Sequence, residues 1–173
     1  SDIQRVVALE AASYPPDEAA SERNIRLRQQ HAGAFFRVAF LKSGDTGETS
    51  GNDDSALHAS GDKSGLFVGF VNGTLSASRE LEEESMSEHD PLGITLCIHS
   101  VVVDATYRRK GLASEMLRQY VHGVVEQEEQ VERIVLIAKA HLVGFYIGCG
   151  FAVTRLSPVV HGKDPWFELA LDC

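Results

Sequence analysis

The chain reads as an α/β sandwich, one sheet packed against helices, and three observations point there. Strand-like and helix-like apolar patterns follow one another in mixed order rather than in separate blocks. An apolar run at Leu96–Val103 passes through a basic turn directly into an amphipathic helical pattern that continues through Val125. With 173 residues, 43% of them hydrophobic, the chain is long enough to bury one sizeable core. A single domain over 1–173 is therefore expected.

The elements follow in order. Asp17–His31 is expected to be a helix, because Pro15 and Pro16 precede it, acidic residues open it and His31-Ala-Gly33 closes it. Ala34–Leu41 and Gly65–Asn72, rich in Phe and Val with partial alternation, are expected to be strands. Residues 42–64 between them are Gly, Ser, Asp and Thr with almost nothing apolar, which predicts a flexible hairpin tip. Arg79–Asp90 is acidic and reads as a short helix or irregular loop. After the Leu96–Val103 strand, Ala113, Met116, Leu117, Tyr120, Val121, Val124 and Val125 form a helical stripe expected to pack on the sheet. Ile134–Ala138 is a buried strand, His141–Ile147 a short helix, and Phe151–Leu156 and Trp166–Leu171 are closing strands.

Charge narrows the partners. The net charge is −9, which disfavours nucleic acid, since phosphate contacts need clustered Lys and Arg. No apolar run reaches the ~20 residues of a bilayer span. The start lacks the basic-then-apolar pattern of a secretion signal. Cys97, Cys149 and Cys173 are odd in number and lack metal-ligand spacing. A cytoplasmic, reduced protein without a metal site is expected, and a monomer is favoured.

The strand–turn–helix at Ile94–Ala113 carries the strongest signal. Arg108, Arg109 and Lys110 are the one run of three consecutive basic residues in the chain. They lead into Gly111-Leu112-Ala113, where a helix begins. First-turn N–H groups lack intrahelical partners and the helix dipole adds partial positive charge, so this is an anion trap. Small residues at 111 and 113 let the backbone approach a phosphate. A P-loop would need Gly-Lys-Ser/Thr, and a dinucleotide fingerprint would need three spaced glycines; neither is present. A solvated basic turn is the remaining plain reading.

Arg108-x-x-Gly111-x-Ala113 resembles the pyrophosphate loop of the GCN5-related N-acetyltransferase (GNAT) superfamily. The wider chain resembles its arylalkylamine (serotonin) N-acetyltransferase branch. The resemblance rests on Ser13-Tyr-Pro-Pro-Asp-Glu-Ala-Ala-Ser21, Gly69-Phe-Val-Asn-Gly-Thr-Leu75, Glu84-Ser-Met-Ser-Glu-His89 and His99-Ser-Val-Val-Val103. Phe145-Tyr146 with Gly150-Phe151, and His161-Gly162 leading to Trp166-Phe-Glu168, extend it. It implies a mixed, mostly antiparallel central sheet flanked by helices, and acetyl-CoA as co-substrate. The acetyl group would pass directly to the primary amine of a small arylalkylamine, of tryptamine or serotonin type. The cofactor positions it implies are Val101, Val102, Val103, Arg108, Arg109, Lys110, Gly111, Leu112, Ala113 and Ser114.

Transfer from a thioester to an amine requires that the amine be placed and deprotonated and the thiolate released. His99 is the candidate base, with a core histidine bonded to backbone as the alternative. The family has a second histidine two residues earlier on the same strand face; here Cys97 stands there, and a thiol is an inferior relay. Tyr146 is the candidate general acid towards the coenzyme sulfur, with simple packing as its alternative. Tyr14, Pro15, Val159 and Trp166 are implied for the amine. His89 and His161 read as structural or rim residues, and His31, His58, His122 and His141 as solvated. Three functions stay open: arylalkylamine acetylation, polyamine or protein-lysine acetylation, and a non-catalytic coenzyme A sensor.

Overall fold

The computed structural model describes residues 2–42, 57–59 and 65–173. The expected α/β architecture is present, with one mixed sheet between two groups of helices. The elements are α1 (Asp2–Ser13), α2 (Glu22–His31), β1 (Phe36–Lys42), β2 (Leu57–Ala59), β3 (Gly65–Ser76) and β4 (Thr95–Val103). They continue as α3 (Leu112–Gln127), β5 (Arg133–Ala138), α4 (Val143–Gly148), β6 (Ala152–Leu156) and β7 (Phe167–Asp172). Strand order is β2-β1-β3-β4-β5-β7-β6, antiparallel throughout except for the parallel β4–β5 pair. Among the described residues, no helix is long and apolar enough to cross a membrane.

Several boundaries moved. The helix expected over Asp17–His31 begins at Glu22, because the Ser21 hydroxyl accepts from Asn24 N–H at 3.2 Å and caps it there. Residues before the cap instead fold back on the Pro15 carbonyl, which accepts from Glu18 and Ala19. Helix α1 was not anticipated, although Ile3, Val6 and Val7 carry a helical period. The predicted hairpin tip at 42–64 falls mainly on residues 43–56 and 60–64, outside those described. Within it, Lys42 closes β1 and β2 pairs with β1 as an edge strand. Val125, placed in the inner stripe of α3, is 44% exposed; Met116, Leu117, Tyr120 and Val124 are the buried members.

One irregularity governs the site. Asn72 pairs with Ser100 and Gly73 with Ile98, so β4 carries one extra residue, His99, in a bulge. The facing of β4 changes across it. Leu96 and Ile98 pack with the α3 and α4 side, and so do Val101 and Val103 beyond the bulge. Cys97 and Val102 lie in clusters on the opposite face. Each fully buried core side chain, such as Leu96, Leu117 or Ile134, contributes roughly 1.5–3 kcal/mol.

Candidate active site

The β4–β5 ladder runs from Thr95 opposite Arg133 to Ile98 opposite Leu136 and stops there. Beyond that point a cavity of about 430 Å³ opens. Ile98 and His99 of β4 both line it, as do Leu136, Ile137 and Ala138 of β5. Consecutive strand residues point to opposite faces, so a cavity touching both parities occupies the gap between the strands. Helix α1, the α1–α2 loop and the segment before β7 close one side.

His99 sits in the bulge at the cavity wall. The Thr74 hydroxyl donates to the Ser85 carbonyl at 2.6 Å, and His99 Nε2 lies 2.7 Å from the same oxygen. The hydroxyl has a single proton, already committed to Ser85, so Nε2 must donate and Nδ1 is left as a bare acceptor. Nδ1 has no hydrogen-bond partner. Burial holds the imidazole well below its usual basicity, and the nearby Arg28 guanidinium pushes the same way. His99 is therefore neutral at neutral pH, a fixed tautomer whose Nδ1 lone pair is buried and unpaired.

Tyr146, on α4, also lines the cavity and is 8% exposed. Its ring meets Phe145 and Phe151 edge-on, at 5.0 and 6.2 Å between centroids. Burial raises its hydroxyl above the usual phenol range, so it stays protonated, as a donor must. Tyr14, at the end of α1, is also raised by burial. Tyr14, Pro15 and Trp166 line the same cavity. The Trp166 Nε1–H donates to the His161 carbonyl at 2.6 Å, and Lys139 Nζ lies 5.5 Å from its ring. The cation on that ring is thus already supplied by the protein.

One expectation needs correction. Val159 is buried with Leu81, Cys97, Val135 and Ala170 and is not in the cavity wall, because its segment tucks under the sheet. Cys97 belongs to that same apolar cluster, fully buried, and burial pushes its thiol up to about 12. It shares the strand face of His99 but does not reach the cavity. His89 is structural: its Nδ1 accepts from Leu75 N–H at 3.1 Å. His141 is exposed, as expected, and also borders the cavity.

Sequence reasoning missed the charged wall. Glu10 of α1 is 2% exposed; its Oε1 accepts from Ala20 N–H at 2.9 Å. Arg28 of α2, 3% exposed, donates to Asn72 Oδ1 at 3.2 Å and to the Met86 carbonyl at 2.9 Å. Burial lowers that guanidinium to about 10. At the mouth, Lys139 Nζ pairs with Glu18 at 2.6 Å and Asp164 at 3.0 Å, joining the end of β5 to two loops. Glu10 and Arg28 occupy inward positions of amphipathic helices, and a charge at such a position was the available signal. For Glu18 and Lys139 no local pattern existed.

The basic turn lies at the far end of β4, outside the cavity wall. Gly111 caps α3 with φ +79° and without a side-chain cap, and a side chain there would meet no atom within 4 Å. Arg109 also has positive φ, 60°. Glu115 N–H bonds Gly111, and the amides of residues 111–114 precede the first intrahelical bond. Arg108 braces the turn, donating to the Val103 carbonyl at 2.9 Å and to Ser13 Oγ at 3.2 Å. An uncapped, sterically open helix start beside three cations fits a pyrophosphate. Val101, Val102 and Val103 pair with β3 on one edge only, past the end of the β5 ladder.

A family profile described as Acetyltransferase (GNAT) domain matches residues 67–164. Serotonin N-acetyltransferase of Mesocricetus auratus is 34% identical over 105 residues, 61% of this chain and 50% of that protein. The Macaca mulatta serotonin N-acetyltransferase is 32% identical, covering 61% and 51%. The chain thus spans about half the length of the curated relatives it matches. Among solved structures, the GphF GNAT-like decarboxylase with isobutyryl-CoA superposes with TM-score 0.71 at 16% identity, covering 99% of this chain and 94% of that one. Arabidopsis thaliana NAA60 with a bisubstrate analogue gives 0.65 at 15%, covering 99% and 92%. At such identities the superpositions bear on the fold alone.

Proposed function

We propose, from the premise that the chain belongs to the GNAT acetyltransferase family, that it transfers an acetyl group from acetyl-CoA to the primary amine of a small arylalkylamine. The observation that carries this reading is the geometry of β4. One strand ends in an open, basic helix start and, one bulge earlier, holds an imidazole in a cavity beside a buried tyrosine hydroxyl.

In this reading the amides of Gly111, Leu112, Ala113 and Ser114 hold the pyrophosphate, with Arg109 and Lys110 adding charge and Arg108 bracing the turn. The unpaired edge of Val101–Val103 borders the gap through which the rest of the cofactor would reach the cavity. Acetyl-CoA, when bound, supplies the activated acyl group. His99 offers Nδ1 as the hydrogen-bond acceptor that orients the amine. Tyr146, kept protonated by burial, is the proton donor to the leaving sulfur. Tyr14, Pro15 and Trp166 provide apolar walls of the size an aromatic ring fills. Acetylation of polyamines is the second reading, favoured by the carboxylates of Glu10 and Glu18 in the same wall.

A panel of tryptamine, serotonin, spermidine and a lysine peptide, each with acetyl-CoA and free-thiol detection, tests the proposal. Amine-dependent thiol release, greatest with the arylalkylamines, is expected. Preference for spermidine would select the second reading, and absence of release with any amine would refute transfer.

A further inference from the structure

Three segments meet at the cavity mouth on one ammonium. Lys139 Nζ, just past β5, lies 2.6 Å from Glu18 Oε1, 3.0 Å from Asp164 Oδ2 and 5.5 Å from the centre of the Trp166 ring. Lys139, Glu18 and Trp166 all line the cavity. Their positions are fixed by further contacts. The Glu18 side chain is 5% exposed, and an added Cβ at Gly162 would sit 2.6 Å from its Oε1. The Glu18 carbonyl accepts from His161 Nε2 at 2.5 Å, and the His161 carbonyl in turn accepts from the Trp166 indole.

Two carboxylates beside an indole make a ligand set for an alkylammonium. The carboxylates accept its N–H groups, and the face of the ring attracts its charge. Here the set is filled from within the chain. Donation to Glu18 and Asp164 raises the Lys139 ammonium above its ordinary value, so it stays charged throughout the neutral range.

We infer that Lys139 is a specificity-determining residue, a tethered ammonium occupying the place where the second charge of a diamine would dock. The inference rests on the amine-acetylating reading above and narrows its substrate class to amines with a single positive charge. A diamine or polyamine must leave its second ammonium against some acceptor. At this mouth Lys139 holds Glu18, Asp164 and the Trp166 ring, and its own charge repels another cation. Glu18, which by itself would recommend a polyamine, is thus already matched. An amine with an apolar tail needs no such acceptor and meets the walls of Tyr14 and Pro15 instead.

Lys139→Ala tests this, because it empties the place of the ammonium and leaves Glu18, Asp164 and Trp166. In a calorimetric titration, putrescine is expected to bind the variant roughly 10–100-fold more tightly than the parent, the return on one charge-assisted hydrogen bond. With acetyl-CoA, the ratio of kcat/KM for putrescine to that for tryptamine is expected to rise by a similar factor. Lys139→Arg keeps the cation and is expected to keep the parent's ratio. Adding Glu18→Gln to Lys139→Ala is expected to remove the gain in affinity. If Lys139→Ala is loosely folded, the gain is read as a thermal midpoint that rises with putrescine in the variant and not in the parent. Equal putrescine affinity in parent and variant without such a rise, or a gain that survives Glu18→Gln, overturns the assignment and leaves Lys139 as a tie between loops. A parent that acetylates no amine overturns the transferase reading, whereas the putrescine titration decides the role of Lys139 by itself.

Discussion

Gly73 lies opposite the β4 bulge, and replacing it by alanine tests how that bulge is held. An added Cβ would sit 2.6 Å from the Cys97 carbonyl oxygen and 2.9 Å from Leu96 Cδ1. The leucine methyl can swing away, but the carbonyl is backbone in the β3–β4 ladder. To restore an ordinary contact of 3.4 Å the carbonyl must retreat by 0.8 Å, the difference between 3.4 and 2.6. Overpacking of this kind costs about 1–3 kcal/mol, against which the stiffer unfolded chain returns about 0.4–1 kcal/mol. A net loss of about 1–2 kcal/mol corresponds, at a urea m-value of about 2 kcal/mol/M, to a midpoint lowered by about 0.5–1 M. Gly123 in α3 is the control, because a side chain there meets nothing within 4 Å. Gly123→Ala is expected to gain about 0.5–1 kcal/mol. Urea unfolding of the three proteins decides it. A Gly73→Ala midpoint at or above that of the parent would refute the view that close backbone approach fixes β4 at this point.

Gly111→Asp is expected to weaken acetyl-CoA binding in a calorimetric titration, since it adds a carboxylate and strains a position with positive φ; unchanged affinity removes the pyrophosphate assignment. Tyr146→Phe is expected to keep the fold and cofactor affinity and to lower turnover roughly 10²–10⁴-fold. Parental turnover across the pH range would leave Tyr146 a packing residue. Cys97→Ala is expected to leave the shape of the pH–rate profile unmoved, because the thiol lies outside the cavity wall; a displaced limb would restore it as a relay. Glu10 is raised in the folded state, so folding favours its protonated form, and its contribution to stability falls as pH rises from the unfolded value through the folded one. Glu10→Gln is accordingly expected to be the more stable protein at pH 7 by thermal unfolding, and a lower midpoint there would contradict the sign.

Local pattern made the scaffold legible. The strand β4, the turn and α3 announce themselves because apolar alternation, a basic run and a small-residue helix start adjoin in sequence. Tyr146 and His99 were legible through the resemblance rather than through spacing. Helix α1 escaped although its period is visible; Glu10 falls where the apolar stripe of Ile3 and Val6 would continue, and so breaks the pattern it belongs to. The start of α2 was misjudged because two prolines and two acids imitate a helix beginning, while Ser21 provides the actual cap. Nothing in a linear reading could join Glu18 to Lys139, separated by most of the chain. That contact exists only because β5 delivers Lys139 to the cavity mouth.

The two halves of the site are built from different materials. On the proposed reading the cofactor side hangs on the end of a strand held chiefly by its backbone ladder with β3, with Arg108 bracing the turn. The amine side is a loop, a helix end and the run before β7, tied across the mouth by the carboxylates that share Lys139. Substitution can therefore reshape the amine side without disturbing the other half or the core beneath it. On the proposed reading, a lineage carrying this fold can change the amine it accepts by a few exchanges at the mouth, while the apparatus for handling the donor is inherited intact.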